Sequence, residues 1–216
     1  MIKQCFKNID FRILWGAGCM TGIARAMEFL ALSLFALQEL GLPYLVTIIF
    51  AARMLPMSLL GIVIGTISER ISPISVIKFI YTLSNISTGI AILLVFTDKF
   101  NVIFAFLLAF INGITWVVDL AVRRRVLADN IDQNLLSSSL AMETLSNNAT
   151  RLIGPLCAGS LYALVGLAGI FSVQFFMYIL ALGFIIKFQK SKKHILTSPS
   201  TKIESIDRAS TRLKPS

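Results

Sequence analysis

The chain has 216 residues, of which 56% are hydrophobic and 14% charged, with a formal net charge of +9 and a mean hydropathy of +0.80. Soluble domains carry about 25% charged residues, and a fold of this length in water could not hide so much apolar side chain. The composition therefore excludes an ordinary soluble domain. The positive charge does not indicate nucleic acid, because the 20 Lys and Arg are thinly spread up to Lys187 and form no stripe with base-stacking aromatics.

A membrane-spanning helix needs about 20 mostly apolar residues. Six segments meet that requirement in chain order: 12–36, 44–66, 77–97, 101–122, 136–164 and 168–188. The first is too long and too charged for a cleavable signal peptide and reads as a span. It carries Gly18 and Gly22, and the second segment carries Gly61 and Gly65, the four-residue spacing of small residues at which membrane helices approach closely. The separators are polar or contain breakers: Gln38-Glu39 to Pro43, Glu69 to Pro73, Asp98-Lys99, Arg123 to Asn134, and Gly166 to Gly169. Residues 1–188 are thus expected to form the membrane domain, and 189–216, rich in Lys, Ser, Thr and Pro, a disordered basic cytoplasmic tail.

Orientation follows from the Lys/Arg bias of short loops. With the N-terminus inside, Lys3, Lys7, Arg12, Arg70, Lys78, Arg123, Arg124, Arg125, Lys187, Lys190, Lys192 and Lys193 all face the cytoplasm, and only Lys99 faces out. Both termini are expected to be cytoplasmic, in a multi-pass protein of the cell (plasma or inner) membrane.

Apart from the cytoplasmic cations Arg12, Lys78 and Lys187 at segment ends, six charged residues fall within the apolar segments: Arg25 and Glu28 in the first, Arg53 in the second, Asp119 late in the fourth, Glu143 and Arg151 in the fifth. Each costs a few kcal/mol at membrane depth on insertion scales, so it should face a cavity or a partner. Asp119 is expected near enough to the interface to reach water. The second segment reads Arg53-Met-Leu-Pro56 with Gly61 following, and the fifth reads Arg151-Leu-Ile-Gly-Pro155 with Gly159 following. Each pair puts Arg eight residues before Gly with a Pro between. Such echoes are a pointer to inverted repeats, here helices 1–3 and 4–6, in a transporter architecture.

The loop after the second helix, Gly65-Thr-Ile-Ser-Glu69-Arg70, resembles the Gly-x-x-x-Asp-Arg-x-Gly-Arg-Arg loop of the major facilitator superfamily, with Glu69 for Asp. Its second half departs, since Ser72, Pro73 and Ile74 stand where Gly and basic residues are usual. The fifth helix, with Gly154, Pro155 and Gly159, is similar to the exporter-associated Gly-x-x-x-Gly-Pro-x-x-Gly-Gly motif, Thr150 replacing the first Gly and Ala158 the third. Arg53-x-x-Pro56, the Trp116–Arg125 stretch and Ala141-Met-Glu143 extend the resemblance to the drug and siderophore exporter branch, which includes transmembrane secretion effectors. It covers residues 10–188.

The resemblance implies an all-α membrane fold, six transmembrane helices as two inverted three-helix repeats, equivalent to the N-terminal half of a major facilitator transporter. It implies secondary active transport, specifically proton-coupled export of small amphipathic molecules, with lipid, cargo and protons as partners. A six-helix chain lacks an opposing wall, so a second six-helix half or a homodimer partner is expected. The competing expectation is an inactive truncated remnant or a non-transporting membrane subunit.

Glu28 is the leading proton-coupling candidate, because burial opposes the charge of a carboxylate and a neighbouring Arg25 favours it. Asp119 and Glu143 are the other candidates, while Arg25, Arg53 and Arg151 line a cavity or hold these carboxylates. The competing reading of Glu28 is a permanent ion pair with Arg25. No cofactor, nucleic-acid partner or enzyme activity is expected. His194 is the sole His, Cys5, Cys19 and Cys157 lack metal or redox spacing, and no phosphate-binding loop occurs.

Overall fold

The computed structural model describes residues 6–7, 9–39, 41–67, 72–131 and 133–196, and the regular structure among them is helical. Helix α1 (Ile9–Leu34) continues into a π-helical turn at Phe35–Glu39; α2 is Pro43–Ile67, α3 Pro73–Phe96, α4 Val102–Asn130 and α5 Gln133–Leu196. Local chemistry sets several boundaries. Pro43 and Pro73 open their helices, where the missing N–H costs nothing. The Asn101 side chain caps α4 by accepting from the amides of Ile103 and Phe104 at 3.0 and 3.1 Å.

Gly166 breaks α5, with φ 69° and ψ −162°, a backbone conformation open essentially to glycine alone. The two arms then run in opposite directions along α1. In the first arm Trp15 donates to Ser146, Gly22 meets Thr150, Gly154 meets Ala26, and Gly159 approaches Leu30. In the second, Gln174 lies at Glu28 and Phe184 at Gly16. Helix α1 is therefore flanked by both arms, while α4 packs on α2, where a β-carbon at Gly113 would collide with the carbonyl of Arg53.

Two apolar clusters hold the bundle at its ends. One gathers Met27, Leu32, Phe35, Ile49, Leu108, Ile170 and Phe171, with Phe100 packed edge-on to Phe35 and tilted against Phe171. The other gathers Phe11, Leu14, Ile77, Tyr81, Val126, Ile185 and Phe188. Between them lies a polar layer of buried Arg25, Glu28, Arg53, Asn112, Asp119 and Gln174. The outside is apolar, with Phe79, Leu93, Phe96, Ile103, Leu152, Leu156 and Leu164 all exposed. An apolar exterior around a polar centre suits hydrocarbon rather than water.

Among the described residues, four helices are long and apolar enough to cross a membrane: Ile9–Gln38, Pro73–Phe96, Val102–Asn130 and Leu135–Gln189; a shorter apolar helix occupies Pro43–Leu59. The chain is an all-α, multi-pass membrane protein. Helix α4 extends eight residues past the expected end at 122, because the Arg-rich stretch is helical through Asn130. Helix α5 continues to Leu196, past the expected domain boundary at 188. Glu69 and Arg70 of the loop motif, and residues 197–216 of the expected tail, lie outside the described residues; Gly65 lies in the last turns of α2.

Candidate functional site

The polar layer contains two charge clusters. The first is a chain of ion pairs across four helical segments. Arg25 of α1 reaches Asp119 of α4, Nη2 to Oδ2, at 2.7 Å. Tyr81 of α3 donates its hydroxyl to the other oxygen of Asp119 at 2.9 Å. One turn along α4, Arg123 lies 3.6 Å from Asp119 and 3.2 Å from Glu143 of α5, while Arg124 reaches Glu143 at 3.9 Å. Asp119 thus has three partners, and its carboxylate is fully enclosed (0% exposed). The close approach of α1 to α4 depends on Gly18, whose α-carbon faces the Arg123 guanidinium so closely that a β-carbon would overlap it.

The second cluster surrounds Glu28, three residues after Arg25 and so on the same face of α1. The Gln174 amide donates to its Oε2 at 2.5 Å, and its Oε1 has no hydrogen-bond partner among the described residues. Arg53 of α2 lies within electrostatic reach of Glu28 and donates to the carbonyl of Arg25 at 3.1 Å. Asn112 and Tyr178 close the remaining sides. Glu28 is buried like Asp119, but its closest donors are the neutral amides of Gln174 and Asn112, with Arg53 as the nearby cation, where Asp119 has two guanidiniums and a phenol.

Beside Glu28 opens a cavity of about 350 Å³, lined by Arg25, Arg53 and Arg151 among the rings of Phe29, Phe50 and Trp116. Arg53 lies over Phe29 and Trp116 at 5.6 and 5.5 Å, and Arg151 over Trp116 at 5.0 Å. Of the helix-five motif residues, Pro155 lines this cavity, Gly154 seats α5 against Ala26, and Gly159 leaves room for Leu30.

Three expectations change in the light of these positions. Arg25 pairs with Asp119 and not with Glu28, because α4 brings a carboxylate to its guanidinium that the adjacent turn of α1 does not. Asp119 does not reach water; α1 and α3 converge on it. Arg123, expected in a cytoplasmic loop, is buried in α4 and joins two carboxylates. Its four-residue spacing from Asp119 was the one local sign of that role. Tyr81 and Gln174 gave no sign in the sequence, since each reaches its carboxylate across a long separation, 38 and 146 residues respectively.

An apolar helical exterior, a bundle of ion-paired helices and a cavity lined by arginines and aromatic rings are the parts of a membrane transporter. The model of the transmembrane secretion effector family (MFS_3) matches residues 4–213. The chain belongs to this family. No curated protein and no solved structure matches it. The family points to a major facilitator-type transporter rather than to an enzyme.

Within a transporter the two clusters suit different work. A carboxylate held by two guanidiniums and a phenol is fixed in its charge and orients the helices it joins.

Proposed function

We propose that the chain is a proton-coupled secondary transporter of small amphipathic molecules, that its direction is export, and that Glu28 is the coupling carboxylate. The observation that carries this reading is the position of Glu28 directly behind a cavity wall made by Arg25 and Arg53, with one of its oxygens unpaired. Protonation there changes the charge felt by a cargo without a change in any direct contact. Asp119 and Glu143 hold the bundle instead, through Arg25 and Arg123.

The fold takes six crossings with both termini cytoplasmic. The reversal of α5 at Gly166 supports this, because it divides one 64-residue helical stretch into two arms that each run the length of α1. The repeat of helices 1–3 by helices 4–6 is supported by matching contacts: α1 packs on the first arm of α5 at Gly22 and Gly154, and α2 packs on α4 at Gly113. A partner unit, either a second six-helix half or a second copy, faces the cavity and supplies the opposing wall for alternating access.

The test is flux in proteoliposomes under an imposed pH gradient, with a fluorescent amphipath as cargo. Gradient-driven flux is expected in the wild type and its loss in Glu28→Gln. Wild-type flux indifferent to the gradient, or Glu28→Gln flux with unchanged pH dependence, removes Glu28 from the coupling role.

A further inference from the structure

We infer that the central cavity is a binding site for a small organic anion with a planar apolar body, an aromatic carboxylate being the simplest case. The inference deepens the transporter reading and rests on it for the claim that the occupant is cargo.

Charge balance is the first ground. Four guanidiniums of the bundle centre, Arg25, Arg53, Arg123 and Arg151, face three carboxylates, Glu28, Asp119 and Glu143. Asp119 takes Arg25, and Glu143 takes Arg123. Glu28 is the carboxylate within electrostatic reach of Arg53, yet it lies behind the wall and is only 2% exposed. Arg151 has no carboxylate within ion-pair distance among the described residues, and no acidic residue lines the cavity. An uncompensated cation at membrane depth costs a few kcal/mol, and a bound anion relieves that cost.

The surfaces beside the cations are the second ground. Phe29, Phe50 and Trp116 occupy the wall between Arg53 and Arg151, and both guanidiniums already lie over the Trp116 ring. Guanidiniums bind carboxylates in a planar fork, and aromatic walls accept a flat apolar body edge-on or stacked. The volume of about 350 Å³ falls at the lower end of the range for small-molecule sites. A cationic amphipath meets the opposite of what it needs here, the uncompensated guanidinium of Arg151 and no carboxylate on the wall.

The experiment is equilibrium dialysis of the full chain in phosphatidylcholine nanodiscs with radiolabelled 2-naphthoate, 2-naphthylmethanol and 2-naphthylmethylamine. The anion is expected to bind at least about tenfold more tightly than the alcohol, the equivalent of about 1.4 kcal/mol, and the amine more weakly still. Arg151→Gln should remove most of that preference. Its side chain stands on the exposed cavity wall outside the ion-pair chain, so the variant keeps its fold, and Arg151→Lys should restore part of the preference. Equal binding of anion and alcohol, or tighter binding of the amine, overturns the inference. So does loss of naphthoate binding when phosphatidylglycerol replaces phosphatidylcholine, because the anion site then belongs to a lipid headgroup.

Parallel flux measurements separate this from the transporter reading. Selective binding without flux leaves the anion site standing and removes transport. Flux of the amine that naphthoate neither joins nor competes with leaves transport standing and removes the anion site.

Discussion

Arg53 and Arg151 lie over the same indole, that of Trp116, at 5.5 and 5.0 Å from the ring centre. They come from helices that the sequence already pairs, through an Arg followed by Pro and Gly at similar spacing. In the bundle that echo becomes a convergence: two arginines delivered to one aromatic face by α2 and by the first arm of α5. Pro56 and Pro155 follow the two arginines by three and four residues. Pro56 lies against Gly113 of α4 and Pro155 lines the cavity, so each helix carries its interior proline beside the polar layer.

Trp116→Ala should therefore weaken both arginines' positions at once. A cation–π contact contributes about 0.5–1 kcal/mol at exposed sites and about 2 or more when desolvated. Loss of two predicts roughly tenfold weaker binding of an aromatic anion by equilibrium dialysis, with Trp116→Phe intermediate. Unchanged affinity in Trp116→Ala would mean that the indole only fills space.

The two buried carboxylates should respond unequally to neutralisation. Asp119→Asn strips two buried guanidiniums of their shared partner, and breaking a buried pair from one side costs about 3–5 kcal/mol. A large fall in the midpoint of thermal unfolding in detergent is expected. Tyr81→Phe removes one hydrogen bond to a charged group and should cost about 1.5–3 kcal/mol. Glu28→Gln keeps an acceptor for Gln174 but leaves one buried guanidinium, Arg53, without its nearby carboxylate, so the midpoint should fall by less than in Asp119→Asn. Equal destabilisation by the two carboxamides would contradict the division of labour between fixed and exchangeable carboxylates.

How much of this was legible in the sequence depends on the range of the interaction involved. The span predicted at 44–66 became α2 at Pro43–Ile67, because apolar length and a flanking proline are local properties. The end of α4 was misplaced for a local reason as well. Three consecutive arginines read as a polar loop, yet a helix turns each to a different side, and Arg123 falls on the buried face while Arg124 does not. The partner of Arg25 was not legible at all. Sequence spacing offers Glu28 three residues away, whereas the fold offers Asp119, 94 residues away, with better geometry. Intramembrane charges could be recognised one by one, but their pairing depends on how the helices pack.

The Lys/Arg bias of the loops makes a topological prediction. In a cysteine-free background, Lys99→Cys between α3 and α4 should react with a membrane-impermeant maleimide in intact cells, and Arg12→Cys at the start of α1 only after permeabilisation. Both side chains are exposed. Labelling of both from outside would remove the orientation that the Lys/Arg bias predicts.

Glycine contacts give the sharpest test of how the helices approach, because three positions differ only in what a β-carbon would meet. At Gly113 it would strike the Arg53 carbonyl, which is backbone and cannot step aside without moving α2. At Gly18 it would strike the Arg123 guanidinium, which can swing but only by leaving Asp119 and Glu143. At Gly183 it would meet open space. Overpacking a close contact costs about 1–3 kcal/mol, whereas Gly to Ala in an open helical position gains up to about 1 kcal/mol. Gly113→Ala and Gly18→Ala should both lower the unfolding midpoint, and Gly183→Ala should hold or raise it. The two destabilised variants are further distinguished by a second substitution. Arg123→Ala frees the space that Gly18→Ala needs, so the double variant should cost less than the sum of the singles, and no such coupling should join Arg123 to Gly113. Strict additivity of Gly18→Ala with Arg123→Ala, measured as a double-mutant cycle, would show that the α1–α4 approach does not depend on seating that guanidinium.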